Sequence, residues 1–228
     1  MNQLKRTASV IAPVAASLAA LLIVAGPASA QTVGNSGFEL PALAPGGAQY
    51  NPSSAIATWT FLGNSGVTRN NSGFTSSNPN APQGVQVAFL QRTGNFSQSI
   101  IFPSDGTVSF SFKAAQRGNS PVFPSHQSIV VTLGAAVLGV FTPTNTTYQT
   151  FSTISTAVAG AGPLTLKFAG TVANDQTAFV DNISINFIPT PPPPPTAAPE
   201  PGSLALAGSA MFSLIGATVI RRKRFARA

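Results

Sequence analysis

From Gln31 to Ile188 apolar and polar residues trade places at short range, and no long segment repeats with a helical period. In "GTVSFSFKA", Val108, Phe110 and Phe112 fall on one side, Ser109, Ser111 and Lys113 on the other. In "LTLKFAG", Leu164, Leu166 and Phe168 alternate with Thr165 and Lys167. "VQVAFLQ", "SQSIIF", "QSIVVTLG", "AVLGVFT", "YQTFSTI" and "TAFVDNISINF" share the habit. A period of two over a few residues marks a strand with one buried face. Clusters of Gly, Pro, Asn and Ser, as in "NSGFTSSNPNAPQG" and "RGNSPVFPS", separate the runs. About nine short strands at this spacing predict an all-β domain over 31–188, an antiparallel β-sandwich or jelly roll. Phe, Val, Leu and Ile would fill the space between two sheets, with Ser and Thr facing out.

The pattern breaks at both ends. Lys5 and Arg6 precede a mostly apolar run from Val10 to Val24, followed by "GPASA". Ala28 and Ala30 are the small residues that signal peptidase prefers, so residues 1–30 are predicted to be a signal peptide cleaved after Ala30. The alternative is an uncleaved anchor, which Pro13 and the shortness of the run oppose. Residues 189–198 are Pro-rich. Proline lacks the N–H donor and fixes φ, so this stretch is predicted to be an extended stalk of roughly 3.1 Å per residue. Ser203 to Ile220 then runs without a charge. As a helix it reaches about 27 Å, close to the hydrocarbon thickness of a bilayer. Arg221, Arg222, Lys223 and Arg224 follow at once and act as a stop-transfer cluster, because such cations stay on the cytoplasmic side. The expected layout is a transmembrane helix over 203–220 and a cytoplasmic basic tail over 221–228.

Charge sharpens this picture. Only 7% of the 228 residues are charged, and the pI is near 10.9. Such a pI invites a nucleic-acid partner. Yet the central domain carries five Lys or Arg against four Asp or Glu, so the excess belongs to the ends. The distribution points to a membrane and excludes nucleic acid. Cysteine is absent. A domain of about 160 residues can bury enough core without disulfides, and their absence suits bacterial export.

The triplet Pro199, Glu200, Pro201 with Gly202, the apolar segment and the basic cluster together resemble the PEP-CTERM sorting domain of exported Gram-negative proteins, over residues 199–228. The resemblance implies an exosortase-like membrane transpeptidase as partner, besides signal peptidase. It also implies a membrane-anchored precursor, a surface or extracellular product, and association with exopolysaccharide and biofilm. Glu200 is the one acid near the membrane, which makes it the natural recognition handle. A sortase tail would show Leu-Pro-x-Thr-Gly, and a GPI signal would end in its apolar segment.

Chemistry is harder to read. The central domain holds four carboxylates and one histidine. Glu39 with Asp105, or Asp175 with Asp181, would have to supply the pair that a glycoside hydrolase needs, and no spacing favours either. His126 lies in a predicted loop, "PSHQS". No catalytic residue is assigned, and the expectation is that the protein is not an enzyme. The opening "VGNSGFELP" and closing "TAFVDNISI" resemble the terminal strands of galactose-binding-like jelly-roll modules, which include carbohydrate-binding families. That resemblance implies adjacent terminal strands and a structural Ca²⁺ held by Glu39 and Asp181. Backbone carbonyls and Asn35 would complete its oxygen shell. No other cofactor is required. Trp59 alternates with Phe61 and reads as core. Tyr50 and Tyr148 are the better sugar platforms, and Phe74 and Phe123 lie in loops, but no set converges in sequence and the ligand site is unassigned. The expected function is an adhesive, matrix or glycan-binding role at the cell surface. The alternatives are a purely structural matrix component and a polysaccharide-active hydrolase.

Overall fold

A computed structural model describes residues 31–118 and 126–193, where the alternating runs pair into strands. The signal-peptide residues Ala28 and Ala30 lie outside the described residues. So do the predicted stalk from 194 on, the motif Pro199 to Gly202, the predicted helix 203–220 and the cluster Arg221 to Arg224. Among the described residues no helix is long and apolar enough to cross a membrane.

The strands are β1 (Ala48–Tyr50), β2 (Thr60–Leu62), β3 (Ser65–Arg69), β4 (Gln86–Gln91), β5 (Asn95–Phe102) and β6 (Gly106–Gln116). They continue with β7 (Ile129–Leu133), β8 (Ala136–Phe141), β9 (Gln149–Ser152), β10 (Thr156–Val158), β11 (Gly162–Gly170) and β12 (Thr177–Pro189). One helical turn, α1 (Ser54–Ala57), precedes β2. The first sheet runs β1-β3-β4-β12-β6-β10, with β9 also on β6, and the second runs β2-β5-β11-β7-β8. All the pairings are antiparallel. This is the predicted antiparallel β-sandwich. Its last strand takes in Pro189, opposite Gly106, one residue beyond the expected end of the domain.

The core forms where the inward faces meet. Val108, Phe110 and Phe112 of β6 and Leu166 and Phe168 of β11 are buried, as the alternation requires. Phe112 meets Phe168 edge-on at 5.2 Å, and Phe96 stacks on Phe168 at the same separation. Such pairs add about 0.5–1.5 kcal/mol each beyond the area they bury. Trp59 and Phe61 join this core, as expected.

Two strands depart from the simple pattern. Every residue of β4 from Gln86 to Leu90 is buried, and so is every residue of β12 from Thr177 to Asp181. Ala88, Leu90, Ala178 and Val180 belong to the main core. Val87, Phe89 and Phe179 form a second cluster on the opposite face, packed by Phe74, Ala81 and Tyr148. The first sheet is therefore covered on its outer side as well, by the segment after β3 and by the approach to β9. Those covers position the two sites described next.

Candidate functional site

A row of residues crosses the outer face of the first sheet. Register pairs Tyr50 with Gly66, Gly66 with Phe89, Phe89 with Phe179, and Phe179 with Ala115. Gly66 is required there, because a Cβ would overlap the Gln49 backbone and press on the Phe89 ring. The Tyr50 ring stands edge-on to Phe89 at 4.8 Å and to Phe74 at 6.0 Å. Phe74 stacks on Phe89 at 4.8 Å, and the Arg117 guanidinium lies 4.5 Å over the Phe74 ring. Phe74 is thus half-buried rather than a free loop aromatic. Tyr50 keeps 44% of its surface exposed.

The polar end of Tyr50 is fixed too. Its hydroxyl donates to Gln91 Oε1 at 2.6 Å, and Gln91 Nε2 donates to Asp175 Oδ1. Arg92 and Arg117 also act on the Tyr50 hydroxyl. Burial, then the Asp175 charge, push the Tyr50 pKa up against the two cations. The phenol therefore remains neutral near pH 7. Thr177, opposite Gln91, is buried on the same face, and its hydroxyl has no hydrogen-bond partner among the described residues. Sequence reasoning named Tyr50 but saw no cluster around it. The signal was in the runs "VAFL" (87–90) and "TAFV" (177–180), which are continuously apolar and so mark strands buried on both faces.

The second site joins the two ends of the domain. Phe38 fills the core against Trp59 at 5.5 Å, and Asn35 Nδ2 ties down the carbonyls of Leu40 and Ala57. This seats Glu39 at the start of β4, where Oε1 accepts from Val85 N at 2.9 Å and Gln86 N at 2.8 Å. Gly84 has φ of 68°, and any Cβ there would overlap the Glu39 carboxylate. Asp181 is fully buried on β12. Its Oδ2 accepts from Gln83 N at 2.8 Å and its Oδ1 from Asn182 N at 2.7 Å. Burial pushes the Asp181 pKa up to about 7; the two backbone donors oppose this, the Glu39 charge adds to it, and Lys113 opposes it. Tyr148 points a buried, unpartnered hydroxyl into this region, and burial and then the Asp181 charge push its pKa up.

Glu39 and Asp181 are thus brought together, as the terminal-strand resemblance implied. Asn35 serves the backbone of its own loop. Among the described residues no group of three or more His, Cys, Asp or Glu gathers to hold a metal. The pair fits the anionic part of a calcium shell: Glu39 Oε2 accepts no hydrogen bond among the described residues, and backbone carbonyls and water would supply about four to six more oxygens. Neither suggested hydrolase pair forms. Asp105, in the turn before β6, accepts from Gly160 N in the turn between β10 and β11, Asp175 serves Gln91, and His126 is exposed. On the second sheet a shallow groove of about 450 Å³ runs past Gln98 and Ile101. The Gln98 amide is already spent on the Gly34 and Thr58 backbone.

No protein-family model matches the chain, and no curated protein matches it in sequence. Solved structures do match in shape. A cyclase from Fischerella sp. TAU in complex with 4-(1H-indol-3-yl)butan-2-one aligns over 72% of this chain and 100% of its own, at 16% identity and a TM-score of 0.55. TmCBM61 in complex with beta-1,4-galactotriose aligns over 69% of this chain and 99% of its own, at 17% identity and a TM-score of 0.48. The xylan-binding domain CBM22-1 from Paenibacillus barcinonensis Xyn10C aligns over 58% and 87%, at 15% identity and a TM-score of 0.43. The chain shares its fold with the cyclases, which corrects the expectation that it is not an enzyme. That expectation counted acid–base groups along the sequence. The fold is one on which enzymes are built, and it gathers Tyr50, Asp175 and Arg117 into one electrostatic neighbourhood.

Asp181 yields a pH prediction. Its folded pKa lies above the unfolded value, so the folded chain holds a proton that the unfolded chain has released between pH 4 and 7, roughly. The resulting stability is fully present below the unfolded pKa and is lost as pH rises through about 7. It amounts to something on the order of 4 kcal/mol. In chelator, the melting temperature is expected to fall from pH 5 to pH 8. Asp181→Asn should flatten that slope, because an amide does not titrate in this range. Thermal melts across this range check it, and an unchanged slope in the variant would count against the assignment.

Proposed function

We propose that the protein is a glycan-binding β-sandwich displayed outside the cytoplasmic membrane, with the Tyr50 ring as its sugar platform. The observation that carries the reading is a half-exposed tyrosine held rigid before any ligand arrives. Its ring is backed by Phe74 and Phe89, and its hydroxyl is tethered through Gln91 to Asp175. A sugar ring laid on such a surface covers apolar area without the cost of ordering the side chain. Asp175 and Arg92 flank it with polar groups suited to sugar hydroxyls. The resemblance of the two terminal strands to carbohydrate-binding jelly-roll modules supports the same reading.

Delivery to the surface rests on the two ends of the chain. Residues 1–30 direct export, and the Pro199–Gly202 motif, the apolar segment 203–220 and the basic tail pass the protein to an exosortase-like transpeptidase. Exopolysaccharide is the ligand such a location offers. A second reading, chemistry on the bound ligand, is favoured by the hydrogen-bonded chain from Tyr50 to Asp175 beside the Arg117 cation. Turnover that Asp175→Asn removes while binding survives would establish it. Glu39 and Asp181 are proposed to hold a structural Ca²⁺ that neutralises their paired charge.

Three outcomes are expected. Tyr50→Ala should weaken polysaccharide binding at least tenfold, about 1.4 kcal/mol, whereas Tyr50→Phe keeps most of it. Affinity electrophoresis of the full-length protein checks this, and unaltered migration of the alanine variant would sink the platform. Calcium should raise the melting temperature at pH 8, and the rise should vanish in Glu39→Gln; identical melts with calcium and with chelator would remove the cation. Glu200→Ala should leave the full-length form in the membrane fraction, so normal processing of that variant would speak against recognition of the triplet.

A further inference from the structure

Arg92 sits in the turn between β4 and β5 with φ of 53°. That left-handed conformation costs least for glycine and is shared more readily by asparagine and aspartate than by arginine. The turn does not need the guanidinium. Arg92 N donates to Gln176 O at 3.0 Å, and Arg92 O accepts from Gln127 Nε2 at 2.5 Å. Gln127 is itself buried and also receives the backbone N–H groups of Thr171 and Val172 on its Oε1. The backbone is therefore pinned from both sides, and the side chain plays no part in holding it. That side chain is exposed and makes no hydrogen bond or ion pair among the described residues. Arg92 directly follows Gln91, whose Oε1 accepts from the Tyr50 hydroxyl at 2.6 Å, so the turn lies beside the tyrosine. The Arg92 charge reaches that hydroxyl, where it acts together with Arg117 against Asp175. The Asp175 carboxylate is already engaged by Gln91 and by the field of Arg117. Beside the exposed tyrosine, Arg92 is thus a cation aimed at solvent on a backbone fixed in place. An observed unfavourable backbone conformation that the fold retains is a reason to look for a functional side chain.

Resting on the glycan-binding reading, we infer that Arg92 selects the ligand of the Tyr50 platform, and that this ligand is an acidic glycan. Its sugar stacks on Tyr50 while a carboxylate or sulfate group meets the guanidinium. Arginine suits this role because its planar fork binds such oxyanions through two parallel hydrogen bonds. The attraction works across an exposed surface, so it weakens with added salt.

The test compares three polysaccharides on the full-length protein: neutral galactan, polygalacturonate and a sulfated galactan. At low salt at least one acidic polymer should bind about tenfold or more tightly than neutral galactan, and the gap should close with added salt. The better of the two acidic polymers tells carboxylate from sulfate recognition. Arg92→Gly, which suits the left-handed turn, should melt at the native temperature or higher and bind acidic and neutral polymers alike. Arg92→Gln, which keeps the same backbone demand, should lose the preference too. Equal binding of acidic and neutral polymers by the native protein would overturn the inference and leave the Tyr50 platform standing. So would an acid preference that survives both substitutions. Binding of none of the three polymers would remove both the inference and the reading beneath it.

Discussion

Phe89 and Phe179 are paired across β4 and β12 on the side of the sheet that faces away from the main core. Two adjacent phenyl rings on an outer face cannot be left in water without forfeiting roughly 2–3 kcal/mol each. The sheet must therefore be roofed. Phe74 and Ala81 come from the segment after β3, and Tyr148 from the approach to β9. A roof made of loop carries unpaired backbone groups, and polar side chains satisfy them. Asn78 donates to the carbonyls of Gln116 and Thr146 and accepts from Gly118 N. Asn70 accepts from Ala81 N. The rim of this roof is where Tyr50 emerges. The candidate ligand site is thus a consequence of burying two central strands on both faces.

The Glu39–Asp181 pair answers the same demand at the other end of the roof. The chain between β3 and β4 must return to the sheet, and Asp181 catches it by accepting from Gln83 N. Glu39 holds Val85 and Gln86 in the same way. Backbone donors partly offset what it costs to bury the Asp181 charge, yet burial still dominates and leaves the carboxyl easily protonated. The clip also ties the opening segment to the last strand, because Ile183 N donates to Ser36 O. One pair of acids therefore closes the domain and anchors the cover over Phe89.

The strands with clean alternation were legible from the residues: β6, β7 and β11 fall where the pattern places them. The short strands β1, β3 and β10 were not, because three to five residues carry too little periodicity and Gly66 breaks it in β3. The Glu39–Asp181 meeting was legible through the resemblance of the terminal segments. The candidate ligand site was not. Tyr50 and Asp175 are far apart in sequence, and only sheet order brings β1 within reach of the loop before β12. Arg92 gave no local signal either. Its left-handed backbone depends on Gln127 and Gln176, both distant in sequence.

A chain with few charges invites the conclusion that it has little chemistry, and here that step fails for a geometric reason. The number of titratable groups along a sequence does not measure their density at any one place. Arg92, Arg117 and Asp175 are three of the nine charged residues between 31 and 198, and all three act on one tyrosine. The second sheet presents Ser97, Ser99, Thr132 and Thr165 outward beside the exposed Leu62, Ile101, Val137 and Val140, with Lys167 the cation of its central strand. In so neutral a domain a local excess of charge is not masked by its surroundings. Its field therefore reaches a ligand with little competition from other side chains. Low overall charge would thus sharpen the selectivity proposed for the Tyr50 platform.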